Sequence, residues 1–183
     1  MQTEKINLEN MIISTIESII KDNSELLKLP IKKRAKFEGW LKFELAHQLA
    51  ANKELREISV ETNIINTKSR SDVSFKYVNV TYHIELKTTN ANYRIQGIES
   101  RTRPIRGNID SIIIDADKLS HSKGFVAFVM FPIPTNSDVW MYHLERIRKE
   151  TGKTIGHAEN SKILPLVYPD LKTNILICCF KTF

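Results

Sequence analysis

The chain has 183 residues, a net charge of +6 and a sequence pI of about 9.3. This length fits one domain and makes a second independent core unexpected. No apolar run approaches the roughly 18–20 residues of a membrane-spanning helix, which argues against an integral membrane protein.

Composition also limits the kinds of site and the kinds of partner that we expect. The two cysteines, Cys178 and Cys179, are adjacent, and neighbouring side chains on a strand point to opposite faces. Neither a disulfide framework nor a thiolate metal site is therefore expected. The first ten residues have no signal-peptide layout, so we expect a cytoplasmic protein. The positive excess favours a polyanionic partner, and nucleic acid is the commonest of these.

Two helices are predicted before any strand. Apolar residues at helical spacing predict one over 8–28, broken near Asn23-Ser24 and ended by the Leu29-Pro30 step. Residues 31–34 then form a short basic linker, which could attract a polyanion. The second helix spans 34–52 and has an apolar stripe on one side.

Strand patterns dominate the rest of the chain, with helical stretches between them. Alternation predicts three strands, and a continuous apolar run bounded by Gly124 and Pro132 predicts a strand buried on both faces. In chain order the predictions are strands 57–64, 71–77 and 80–88, a polar loop 88–107, helix 108–119 with Asn108 as N-cap, strand 125–131, helix 138–150 and strand 174–180. This order predicts an α/β protein with a mixed central sheet flanked by helices.

The second and third strands are predicted to form a hairpin. A two-residue loop at Val78-Asn79 places Tyr77 opposite Val80, so apolar residues pair with apolar residues all along one face. A slip of one residue would destroy this sorting, which specifies the register.

The opposite, polar face of that hairpin carries two acids and a lysine. The register sets Asp72 across from Glu85, and Lys87 projects on the same side as Glu85. Like charges facing each other destabilise a sheet. The ordinary interpretation is a solvated face on which Lys87 offsets both acids. The strand 80–88 is central in the predicted order, however, and buried acids are costly without a compensating cation.

Together with Glu38, which lies beside the apolar stripe of the preceding helix, this arrangement resembles the PD-(D/E)xK nuclease superfamily. The motif is Asp72, then E-L-K at 85–87. The superfamily core is α-β-β-β-α-β, and the order predicted over 34–131 matches it, about half of the chain. Ser71 stands where the superfamily pattern has proline.

The resemblance implies a set of roles. Asp72 and Glu85 would be metal ligands, the backbone carbonyl of Leu86 a third, and Mg²⁺ the metal, with Mn²⁺ as a substitute. Lys87 would orient or help to deprotonate the attacking water and stabilise the transition state. Glu38 would support the site through water or as a ligand to a second metal, with Glu44 as the alternative.

Further residues are candidates for nucleic-acid contact. The loop after the predicted strand 80–88 carries arginines and a glutamine that could bind phosphate or read base edges: Arg94, Gln96, Arg101, Arg103 and Arg106. An ordinary solvated loop is the competing interpretation. His83 is a further possible phosphate contact, and its ordinary interpretation is a half-buried structural residue. Thr88 and Thr89 are either plain strand residues or phosphate contacts.

The expected function is a Mg²⁺-dependent DNA endonuclease, most simply a type II restriction-like homodimer without a small-molecule cofactor. A Holliday-junction resolvase, a repair or phage nuclease, and a non-catalytic nucleic-acid-binding module are the alternatives. We expect one nuclease domain over 1–183, with an N-terminal helical extension (1–30), the core (34–131) and a C-terminal helix and strand (135–183).

Overall fold

The computed structural model describes residues 6–64, 67, 69–100, 105–156 and 160–183. These residues form five helices and six strands, in the order α1 (Leu8–Asp22), α2 (Ser24–Lys33), α3 (Glu38–Ala50), β1 (Leu55–Asn63), β2 (Arg70–Tyr77), β3 (Val80–Asn90), α4 (Arg106–Lys118), β4 (Gly124–Ile133), α5 (Trp140–Thr151), β5 (Ser161–Tyr168) and β6 (Leu171–Lys181). In this part of the chain, no helix combines the length and the apolarity needed to cross a bilayer.

The six strands form one mixed sheet in the order β1-β2-β3-β4-β6-β5. Strands β3 and β4 are parallel and the other neighbours are antiparallel. The predicted α/β class with a mixed sheet is confirmed. A parallel pair needs a crossover, and α4 supplies it between β3 and β4.

Hydrophobic cores cover both faces of the sheet. Helices α1 and α3 bury their apolar stripes on the face formed by Ile84 and Leu86, whereas α4 and α5 cover the face formed by Val126 and Phe128. The central strand β3 is thereby buried along most of its length, as its position in the sequence predicts. Any charged side chain of β3 that points toward α4 is therefore largely withdrawn from water.

The β2–β3 hairpin has the predicted register. Tyr77 pairs with Val80, and the ladder continues to Val73 and Ile84. Val78 and Asn79 form the two-residue turn, with φ of 46° and 60°. Positive φ at both central positions is typical of the tight turns that match the twist of the flanking strands.

The segment predicted as a linker is helical. Helix α2 runs through Pro30 to Lys33, so the prediction that Leu29-Pro30 ends the helix is wrong. Proline costs the helix one hydrogen bond, and the burial of Leu27 and Ile31 offsets that loss. Helix α3 then begins at Glu38, later than the predicted 34.

Two further details of the secondary structure differ from prediction. Strand β5 was not predicted, and it forms the sheet edge beside β6. Asn108 is not an N-cap, because α4 begins at Arg106. Its side chain instead donates from Nδ2 to the Asn90 carbonyl at 3.0 Å, which ties the first turn of α4 to the end of β3.

Candidate functional site

The candidate site lies where β2 and β3 stop pairing. The predicted pairing of Asp72 with Glu85 is not part of the ladder, which ends at Val73 and Ile84. Asp72 instead contacts β3 through its side chain, since its Oδ2 accepts a hydrogen bond from the Leu86 backbone N–H at 2.9 Å. The Asp72 carboxylate thus takes the place that a backbone carbonyl of β2 would have as the acceptor for the Leu86 N–H. This hydrogen bond from the Leu86 N–H to the Asp72 carboxylate connects β2 to β3 at the point where their backbone pairing ends.

Glu85 is the most buried acid of the site, at 3% exposed. Its Oε1 accepts a hydrogen bond from Lys118 Nζ at 2.6 Å, and Lys118 comes from the last turn of α4. Burial raises the pKa of Glu85 to about 7, the charges of Asp72 and Asp115 act in the same direction, and Lys118 opposes them. The ionised form of Glu85 therefore depends on a neighbouring cation.

Lys87 lies between two carboxylates that come from helices packed on opposite faces of the sheet. Its Nζ is 3.0 Å from Asp115 Oδ2 on α4 and 3.7 Å from Glu38 Oε1 on α3. Burial acts to lower the pKa of Lys87, but the charges of Asp115 and Glu38 outweigh it and the pKa is raised. Asp115 is itself 8% exposed, and burial raises the pKa of its carboxyl group.

Glu38 is placed by the start of α3. It is the first residue of that helix, where a negative charge is favoured by the helix dipole. Its Oε2 accepts a hydrogen bond from the Thr88 N–H at 3.1 Å, while Thr88 Oγ1 accepts one from the Phe37 N–H at 3.2 Å. Thr88 is fully buried, so it anchors α3 to β3 and is not a phosphate contact. The carboxylate that accepts the hydrogen bond from β3 is that of Glu38, not that of the alternative Glu44.

A third lysine reaches the site from α3. Lys42 Nζ lies 3.6 Å from Asp72 Oδ1 and also pairs with Glu61 on β1. The hydrogen bond with Glu61 is the main cause of the raised pKa of Lys42, and the charge of Asp72 adds to it. Each acid of the predicted motif thus has a lysine partner from a different helix.

The donor set suits a hard divalent cation, although the acids are not gathered around one point. Within the described ranges, no group of three or more His, Cys, Asp or Glu side chains is arranged to hold a metal. Asp72 and Glu85 nevertheless place carboxylate oxygens on neighbouring strands, and carboxylate oxygen is the ligand type that Mg²⁺ takes in proteins. The buried Glu85 carboxylate, with like charges nearby, would gain from a cation.

The loop after β3 presents some of its predicted residues to solvent. Arg94 and Gln96 are exposed, and Arg106 is exposed in the first turn of α4. Arg101 and Arg103 lie outside the described residues. His83 is 4% exposed, and its Nδ1 is 2.9 Å from Ser71 Oγ, so it matches the ordinary interpretation of a structural histidine.

The basic run at 32–34 does not form an open basic patch. Arg34 is 2% exposed, and its guanidinium donates to the carbonyls of Ala91, Tyr93 and Glu99. Lys32 pairs with Asp170 and Lys33 pairs with Glu99. The electrostatic attraction predicted for this run is thus reduced by its own partners, and Arg34 instead fixes the loop that carries Arg94 and Gln96.

Sequence reasoning missed the contribution of α4. Asp115 and Lys118 reach the site only because α4 packs on β3, which is a tertiary contact. One signal was available, since Asp115 lies on the buried side of the helix with Ile112 and Ala116. An acid on an apolar stripe indicates either a buried ion pair or a functional site.

No family model, curated protein or solved structure matches this chain.

Proposed function

We propose that the protein is a Mg²⁺-dependent endonuclease of the PD-(D/E)xK type that hydrolyses phosphodiester bonds in DNA. The observation that carries the proposal is that Asp72 on β2 lies close enough to Glu85 and Lys87 on the buried central strand β3 for their charges to interact, at the point where the two strands stop pairing. A structural protein has no need of two acids near each other at such a position, because their desolvation is costly.

The order and pairing of the elements support the same proposal. The run α3-β1-β2-β3-α4-β4 is the α-β-β-β-α-β order of the superfamily. The candidate acids lie on its second and third strands, and the candidate lysine lies two residues after the second acid. Glu38 begins the helix that precedes the strands.

The roles follow from the contacts of each side chain. Asp72 and Glu85 would hold Mg²⁺ together with the carbonyl of Leu86, and the cation would activate water and neutralise charge on the phosphate. Lys87, held between Asp115 and Glu38, would orient the attacking water and stabilise the negative charge that develops. The exposed Arg94, Gln96 and Arg106 would contact the phosphate backbone. A homodimer would place two such sites on the two strands of a duplex.

The test is cleavage of supercoiled plasmid and long duplex DNA in the presence of Mg²⁺, Mn²⁺ or EDTA. We expect metal-dependent cleavage by the wild type and a loss of at least about 100-fold for Lys87→Ala. Lys149→Ala, which removes an exposed lysine of α5, is the matched control and should cleave normally. Absence of cleavage on duplex, branched, single-stranded and RNA substrates would contradict the proposal.

A second candidate function, a non-catalytic nucleic-acid-binding module, is favoured by the lysine partners of the acids. Lys118 neutralises Glu85, and Lys42 lies beside Asp72, so the folded site does not require a metal. This alternative predicts salt-sensitive DNA binding that is unchanged by EDTA and unaccompanied by cleavage. Binding and cleavage measured on the same DNA separate the two functions.

A further inference from the structure

Lys118 occupies a position that resembles a cation site. Its Nζ lies 2.6 Å from the Glu85 carboxylate on β3 and 2.5 Å from the backbone carbonyl of Arg70 on β2. A carboxylate and a backbone carbonyl are also the oxygen ligands that hard divalent cations take. The ammonium group therefore bridges the two separating strands at the acid that would bind the metal.

Water has little access to the Glu85 carboxylate and therefore cannot replace Lys118 as its partner. Its side chain is 4% exposed, compared with 25% for Lys118. A buried carboxylate needs a close positive charge, and in this structure α4 provides one. Lys118 can withdraw toward solvent along its flexible side chain, whereas Glu85 is fixed on the central strand.

We propose that Lys118 is an internal counter-cation that stabilises the metal-free site and that a divalent cation must displace from Glu85. This inference rests on the proposed function, since it concerns the same metal site. It predicts two effects of opposite sign when the ammonium is removed. The metal-free protein loses stability because Glu85 is left unpaired, while the metal binds more tightly because it no longer competes with Lys118.

A different role for Lys118 predicts the reverse effect on the metal. If the lysine stayed on Oε1 and oriented Glu85 for a metal bound at Oε2, its removal would weaken metal binding. A purely structural ion pair would lower stability and leave metal affinity unchanged. The direction of the change in affinity therefore distinguishes the roles, and stability alone does not.

The experiment is a calorimetric titration of the DNA-free protein with Mn²⁺ at mildly alkaline pH, combined with thermal unfolding with and without the metal. For Lys118→Met we expect a lower melting temperature without metal and Mn²⁺ affinity increased by about tenfold or more. Lys118→Arg keeps the charge and should bind Mn²⁺ as the wild type does. Lys149→Met controls for the loss of one positive charge at an exposed lysine of α5.

If the wild type binds Mn²⁺ and Lys118→Met binds it equally well or more weakly, the inference is overturned and the proposed function still stands. If neither protein binds Mn²⁺, both proposals are refuted. Should Lys118→Met fail to fold, Lys42→Met provides the second test, because Lys42 lies 3.6 Å from the Asp72 carboxylate. It should also bind Mn²⁺ more tightly, with a smaller gain at this longer distance.

Discussion

Replacement of Arg34 by alanine should lower the free energy of unfolding by about 3–4 kcal/mol. The guanidinium is 2% exposed and donates to three carbonyls of one loop, with distances of 2.5 Å to Tyr93 and Glu99. Hydrogen bonds to a charged group are worth about 1.5–3 kcal/mol each. Because all three acceptors belong to one segment, their contributions are not additive, and the sum is an upper limit.

The backbone of Arg34 adds a second effect that glycine can isolate. This residue ends α2 in the left-handed conformation, with φ 51° and ψ 33°. A residue with a Cβ pays about 1–2 kcal/mol there, and glycine does not. Arg34→Gly should therefore be less destabilised than Arg34→Ala by about 1 kcal/mol. Arg34→Lys should fall between wild type and alanine, because a single ammonium cannot match the spread of the guanidinium donors.

Urea unfolding followed by circular dichroism measures these differences, and Lys36→Ala is the control. Lys36 is exposed two residues from Arg34, so its removal should change stability by less than about 0.5 kcal/mol. In thermal unfolding, the alanine variant should melt roughly 6–16 °C lower than the wild type. A loss below about 1 kcal/mol for Arg34→Ala would refute the importance of the three hydrogen bonds. Equal stability of the glycine and alanine variants would refute the contribution from backbone strain.

Three other substitutions test separate parts of the structure. Glu17→Gln should destabilise at neutral pH, because hydrogen bonds from Lys162 and Lys21 lower the pKa of Glu17 in the folded state. This effect should be lost as the pH falls below the unfolded-state pKa of about 4.3 and through the lower folded-state pKa, and a pH-independent difference in urea midpoint would contradict it. Gly124→Ala should lower the free energy of unfolding in urea by about 2–3 kcal/mol, because the added Cβ would lie 2.7 Å from Leu119 Cβ. Gly107→Ala, in the open first turn of α4, is the control and should leave stability unchanged or raise it. Thr88→Val should cost about 1–2 kcal/mol by leaving the buried Phe37 N–H without its acceptor, and an unchanged midpoint would argue against that anchor.

The hairpin could be predicted from the sequence because its information is local. The alternation along 71–87 permits one register, and Val73, Phe75 and Tyr77 pair as the alternation requires. The buried strand β4 was equally clear, since its ten residues are all buried. In both cases the burial of each sheet face determines which positions are apolar, so the order of apolar and polar residues along the strand predicts the structure.

Proline lies in two of the segments where the structure differs from the sequence analysis. Pro30 was expected to end a helix, but the helix continues because its buried side is anchored by Leu27 and Ile31. Strand β5, which was not predicted, contains Pro165; proline is tolerated on an edge strand, and β5 is at the edge. In both cases the cost of the missing proline N–H depends on where the segment packs in the folded protein, and the neighbouring residues in the sequence do not determine that packing.

The candidate site shows the same division between local and long-range information. Asp72, Glu85 and Lys87 could be grouped from strand periodicity alone. Asp115 and Lys118 could not, because the packing of α4 on β3 brings them to the site from about thirty residues away in the chain. The crossover between two parallel strands fixes that packing.

The charges at the site connect the two proposals. Four carboxylates alone would repel the phosphate backbone of a nucleic acid at the place where cleavage is proposed. Lys42, Lys87 and Lys118 offset three of the charges of Glu38, Asp72, Glu85 and Asp115. Glu61, which also pairs with Lys42, adds one negative charge, so the eight groups together carry two negative charges when all are ionised. The net charge of +6 on the whole chain can then attract the polyanion before any metal is bound. A divalent cation that displaces Lys118 from Glu85 would free the ammonium group to contact a bound phosphate, and the cation itself would add two positive charges to the site. On this scheme the lysines make nucleic-acid binding independent of the metal, while cleavage requires it.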